Sequence, residues 1–104
     1  MKIAFFSTQS YDKKFFDEVN AHYGYELLYL EASLNATTYI LAEGCDAVCI
    51  FVNDKADAET LRNLAKLGIH NIVLRCAGFN QVDLDEAVRL KMKVLRVPAY
   101  SPES

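Results

Sequence analysis

Asp46-Ala47-Val48-Cys49-Ile50-Phe51-Val52 is the stretch that decides the fold of this chain. From Ala47 to Val52 every residue is apolar, with no polar alternation. A strand with one solvated face alternates, whereas a strand covered on both faces of a parallel sheet does not. The run is also far short of the roughly 18 apolar residues a membrane-spanning helix needs. It therefore reads as a central parallel strand. Four more short apolar runs, at 2–6, 26–30, 71–74 and 93–97, supply its companions.

Helical patterns fill the gaps between these runs. Over 11–23, Phe15, Phe16, Val19 and Tyr23 recur at spacings of three and four, a stripe suited to packing on a sheet. Ser10 is placed to cap that helix, Asp12 suits its first turn, and Gly24 fits a left-handed turn at its end. Residues 34–43 read as a shorter helix, with Asn35 as cap and Tyr39, Ile40 and Leu41 as its apolar face. Residues 57–67 turn Leu61, Leu64 and Ala65 inward and stop at Gly68-Ile69. Asp83 and Glu86 form a variant capping box for a last helix whose buried side is Leu84, Ala87, Val88 and Leu90. Strands alternating with helices imply right-handed crossovers, hence an α/β, flavodoxin-like, doubly wound five-stranded parallel sheet. After the fifth strand, Ser101-Pro102-Glu103 has the form of a helix start: capping hydroxyl, proline, acid. The sequence given stops there, so the expected last helix is truncated. Part of one sheet face is then expected to stay open as an apolar patch of the kind that marks an interface, in a piece of a longer protein.

Composition narrows the function. The 104 residues make one domain, 52% hydrophobic and 24% charged, which excludes a disordered or low-complexity chain. A net charge of -3 offers no basic field for nucleic acid or an anionic membrane. With no signal-like or membrane-spanning run, the expected location is cytoplasmic. Cys45, Cys49 and Cys76 are an odd set, expected as free thiols, with Cys45 and Cys49 on the same face of the third strand. Neither His22 nor His70 sits at a ligand spacing, and no metal site is expected.

In doubly wound sheets ligands bind beyond the carboxyl ends of the strands. Ser7-Thr8-Gln9-Ser10 follows the first strand; it lacks the glycine that lets backbone approach a phosphate, so helix capping outweighs phosphate binding. Asn53-Asp54-Lys55 follows the third strand where response regulators carry a phospho-accepting aspartate. Their acidic pair after strand one and lysine after strand five are replaced here by Ser7-Thr8 and Pro98-Ala99. After the fourth strand, Ala77 and Gly78 are small enough for backbone amides to approach a carboxylate, though spacing alone favours a tight turn into the Asp83 cap. Tyr100, in a proline-flanked tail, suits a pocket edge or plain packing. No nucleophile–base pair, carboxylate pair or Gly-x-Gly-x-x-Gly occurs.

Four segments taken together carry a resemblance: 7–14, 47–54, 74–83 (Leu74-Arg75-Cys76-Ala77-Gly78-Phe79-Asn80-Gln81-Val82-Asp83) and 97–104 (Val97-Pro98-Ala99-Tyr100-Ser101-Pro102-Glu103-Ser104). In order and spacing they closely resemble the amino-terminal segment of the bacterial fermentative D-lactate dehydrogenases, within the NAD-dependent D-2-hydroxyacid dehydrogenase family. The resemblance implies that residues 1–104 are the first part of a substrate domain, split in sequence around a Rossmann domain that is absent here. It implies that Ala77 and Gly78 hold the substrate carboxylate through backbone amides, that Tyr100 closes on it, and that Phe51 lines the pocket's apolar side. Asn80 and Asp83 match a loop-and-cap pattern, while Arg75 and Arg96 stay unassigned. The family's catalytic arginine, its histidine acid/base with an assisting glutamate, and its glycine-rich dinucleotide fingerprint match nothing in this chain.

The leading expectation is therefore the substrate-binding part of an NAD-dependent D-lactate dehydrogenase, whose parent converts pyruvate and NADH to D-lactate and NAD. Alone, this chain is expected to bind no cofactor and to be inactive. The alternative is a stand-alone flavodoxin-like module that self-associates through its uncovered sheet face.

Overall fold

The computed structural model describes residues 2–21, 24–51, 54–75 and 81–96. Five strands form one sheet: β1 (Lys2–Phe5), β2 (Glu26–Tyr29), β3 (Ala47–Ile50), β4 (Asn71–Leu74) and β5 (Lys93–Arg96). All pairings are parallel, in the order β2-β1-β3-β4-β5, so the all-apolar run does sit at the centre. Its four strand residues are buried.

The two sheet faces are covered unequally. On one, Ala4, Val48, Ile72, Phe6, Ile50 and Leu74 are fully buried and join Leu34, Leu61, Leu64, Ile69, Ala87 and Met92 in a single core. The opposite row runs Tyr29, Phe5, Cys49, Val73, Leu95 through the register of the five strands. Helix α1 (Ser10–Asn20) covers one end of that row. There Phe16 meets Phe5 edge-on at 4.7 Å, and the Tyr29 hydroxyl donates to Asp17 at 2.7 Å. Away from α1 the row opens: Phe5 and Cys49 are buried, Val73 is half-buried, and Leu95 is 54% exposed. Among the described residues nothing covers that end. The helix-start signature at 101–103 lies outside the described residues.

Local signals account for the helix ends. At α1 the residue that caps is not Ser10, which is already the first helical residue. Asp12 reaches back to accept from the Gln9 N–H at 2.8 Å, the carboxylate half of a capping box. The far end turns at Gly24, with φ +70°, while both ends of the Asn20 amide bind the backbone of Tyr25. Phe15 is partly exposed, and the Val19 side chain and Tyr23 lie outside the described residues. Helix α2 (Ala58–Lys66) starts at Asp57, whose carboxylate accepts from the Thr60 N–H and hydroxyl. It closes in a Schellman motif: Gly68 N–H to Ala65 O and Ile69 N–H to Leu64 O, both 3.0 Å, with Gly68 left-handed and Ile69 buried.

Three further expectations are corrected. Residues 34–43 form only one 3-10 turn, Thr38–Ala42, with Leu34 and Ala42 buried while Ile40 and Leu41 stay exposed. Here side chains compete with helical backbone bonding: Asn35 Oδ1 accepts from the Thr37 and Thr38 N–H groups, and the Thr38 hydroxyl donates to Ser33 O. On α3 (Leu84–Arg89), Asp83 caps as expected and Ala87 is buried, with Leu90 half-buried behind it. Leu84 and Val88 are 43% and 77% exposed, because a helix of six residues turns only a narrow stripe to the sheet. Finally, Cys45 precedes β3 and joins the main core, whereas Cys49 lies in the opposite row beside Phe5, so the two do not share a face.

The end of α3 repeats the Schellman pattern, Lys91 N–H to Val88 O and Met92 N–H to Ala87 O, but with Lys91 at φ +61° where α2 uses glycine. A side chain in that conformation costs more than glycine does. Lys91→Gly is expected to stabilise the fold by about 0.5–1 kcal/mol in urea unfolding.

Candidate functional site

The carboxyl ends of β1, β3 and β4 converge on Arg75, the residue that follows β4. Arg75 is 2% exposed. Its Nη2 donates to the carbonyls of Phe6 (2.7 Å) and Ser7 (3.0 Å), and its Nη1 to that of Cys49 (3.2 Å). Its Nε makes no hydrogen bond among the described residues but lies 3.6 Å from Asp12 Oδ1, an ion-pair contact with a carboxylate that is equally buried. The guanidinium stands 5.8 Å from the Phe5 ring centre and 5.5 Å from that of Phe51. One cation thus joins the ends of two strands, the N-terminus of α1 and two aromatic rings.

A second buried group lies close by. Asp54, 3% exposed, accepts from the Ser7 hydroxyl and the Leu34 N–H through Oδ1, each at 2.7 Å, and from the Phe51 N–H through Oδ2 at 2.6 Å. Ser7 is held on both sides, its hydroxyl by Asp54 and its carbonyl by Arg75, while its own φ of +54° lies in the left-handed region. Non-glycine residues enter that region only where their surroundings enforce it.

These contacts settle two of the motifs weighed above. The Ser7–Ser10 turn closes on itself, with the Thr8 hydroxyl donating to Phe5 O and Asp12 taking the Gln9 amide, so a carboxylate of the chain already stands where a phosphate would bind. Asp54 spends both oxygens on three internal donors and is closed to solvent, unlike a phospho-accepting aspartate.

Phe51 is the one expected substrate residue among those described, half-buried at the end of β3 with its ring against Arg75. Ala77, Gly78 and Tyr100 lie outside the described residues, as does Asn80. Arg75 and Asp54 carry most of the contacts here, yet neither was assigned a role from sequence. The signal for Arg75 was present: a charged residue directly after an apolar strand, in a chain whose first helix opens with an acid.

Cys49, beneath the guanidinium, has its thiol pushed up to about 12 by burial, which outweighs the lowering effect of Arg75. Cys45 is also raised by burial.

Residues 3–104 match the family model of the D-isomer-specific 2-hydroxyacid dehydrogenase catalytic domain. The chain belongs to this family. Across its whole length it is 52% identical to D-lactate dehydrogenase of Escherichia coli and equally to a 2-hydroxyacid dehydrogenase homolog of Haemophilus influenzae, covering 32% and 31% of them. The solved apo structure of the E. coli enzyme superposes with a TM-score of 0.93 over 99% of this chain and 33% of that one. The NAD+-bound D-lactate dehydrogenase of Lactobacillus jensenii, 34% identical, superposes with a TM-score of 0.83 over 98% of this chain and 31% of its own. The chain therefore spans about a third of the length of these relatives. The comparisons lend no support to the stand-alone module. No helix among the described residues is long and apolar enough to cross a membrane.

Two outcomes check this site. Removing one member of a buried ion pair strands the other, so Asp12→Ala is expected to cost about 3–5 kcal/mol in urea unfolding. Cys49 ionises near 9 in an unfolded chain but only near 12 when folded, so its contribution to stability falls as pH rises between those values. Urea titrations from neutral to alkaline pH are expected to show that loss, and Cys49→Ala to lack its share of it.

Proposed function

We propose that this chain is the amino-terminal part of the substrate-binding domain of an NAD-dependent D-lactate dehydrogenase, whose parent reduces pyruvate to D-lactate. The observation that carries the reading is the match along the whole chain, in sequence and in backbone, to D-lactate dehydrogenase of E. coli. In this reading the backbone amides of Ala77 and Gly78 hold the substrate carboxylate, Tyr100 closes on it, and Phe51 packs against the small alkyl group. All four belong to segments at or beyond the carboxyl ends of strands, where doubly wound sheets bind ligands.

The residues present do not fit the dinucleotide. The chain has no glycine fingerprint, and the helix N-terminus after β1 is already occupied by Asp12. NADH would supply the hydride from the remainder of the parent protein, and the role of this chain is to bind and orient the keto acid. The 104-residue chain by itself is then inactive.

The test compares the purified 104-residue chain with the full-length protein, by loss of NADH absorbance in the presence of pyruvate. Turnover by the full-length protein and none by the chain is expected. Turnover by the chain alone would overturn the division of labour, and a full-length protein inert toward every 2-keto acid would overturn the assignment.

A further inference from the structure

We infer that Arg75 is a positioning residue, with Asp54 as its counterpart, and that together they set the wall of the substrate pocket by fixing Phe51. The inference deepens the proposed function and rests on it for the identity of the pocket, but its geometry stands by itself.

Phe51 is held at two points by two buried groups. Its N–H donates to Asp54 at 2.6 Å, which fixes the backbone where β3 ends. Its ring faces the Arg75 guanidinium at 5.5 Å, an attraction between a cation and a π face that is strongest where water is excluded. The two holders are coupled through Ser7, whose hydroxyl Asp54 accepts and whose carbonyl Arg75 binds. Asp12 fixes the cation from the opposite side, and the Phe6 and Cys49 carbonyls fix its plane. An apolar side chain at a strand end ordinarily chooses among rotamers. Here the choice is made by a charged group that is itself held by three carbonyls and a carboxylate.

Arginine suits this position in a way that lysine does not. A planar fork reaches three carbonyls and lies over a ring at once, whereas an ammonium group acts as a point charge. The arrangement therefore predicts a selectivity effect from Arg75→Lys, although Arg75 touches no substrate in this reading. A wall that shifts by a fraction of an ångström changes which alkyl groups fit, and loosening it favours bulkier 2-keto acids over pyruvate.

The experiment uses the full-length protein with fluorophenylalanine incorporated, the Phe51 resonance being assigned by its loss in Phe51→Leu. Arg75→Lys is expected to move and broaden that resonance without ligand, and to change the ratio of kcat/KM for pyruvate to that for bulkier 2-keto acids by roughly tenfold. A purely structural role would instead lower kcat/KM for all the acids by a common factor and leave the ratio unchanged; that result, or an unmoved resonance, overturns the inference. Asp54→Asn, which loosens Phe51 from the backbone side, carries the same two expectations and decides the matter if Arg75→Lys does not fold. Should the wild-type protein reduce no 2-keto acid, the functional reading fails, and the fluorine spectrum alone then decides whether Arg75 positions Phe51.

Discussion

A guanidinium cannot lose its charge inside a protein, so burying one dictates much of what surrounds it. Arg75 is placed where three strands end, and the chain supplies carbonyl oxygens from the two residues after β1 and from β3, a carboxylate from α1 and two aromatic faces. Those partners lie far apart in sequence and come together only when the crossovers are complete. A buried ion pair of this kind is weak evidence for high stability, since well-packed apolar residues do as well. Its demand is for specificity of arrangement: a shift of α1 along the sheet would leave Asp12 or Arg75 without its partner.

The same economy extends to the rest of the carboxyl edge. Asp12 serves as cap to α1 and as counter-ion to Arg75, and Asp54 gathers the ends of β1 and β3 and the segment after β2. Ser7 accepts a left-handed backbone because both its hydroxyl and its carbonyl are bound there. The edge that binds ligands in this class of fold is thus built from buried polar groups with fixed partners, while the hydrophobic core is concentrated beneath α2, α3 and the 3-10 turn. A rim of this sort holds the geometry of the loops it anchors.

Much of this was legible in the sequence. Every strand falls within two residues of its expected bounds, because short apolar runs bounded by turns leave little freedom, and Asp57, Asp83 and Gly68 mark their helix ends in the expected places. What periodicity could not resolve was competition within a segment. At 34–43 the Asn35 and Thr38 side chains take over backbone groups that a full helix would have used. Leu84 and Val88 looked buried because spacing says which residues share a face, not how much of that face meets the sheet. Arg75 and Asp54 escaped assignment for a deeper reason. Apart from the Phe51 N–H, three positions from Asp54, the hydrogen-bond partners of both lie 20 to 69 positions away, and periodicity does not name such partners.

The two sheet edges carry a consequence for solubility. Among the described residues β2 and β5 are the edges of the five-stranded sheet, and beside β5 the apolar row is open at Leu95. Such an edge invites another chain to add a strand. Both outer strands are only four residues long and carry charges: Glu26, paired with Lys2, on one side, and exposed Lys93 and Arg96 on the other. Short, charged edges disfavour in-register stacking of like upon like, because each added copy would bring the same charge against its neighbour. The open apolar row is thus left available for side-chain packing while the backbone beside it is guarded against aggregation.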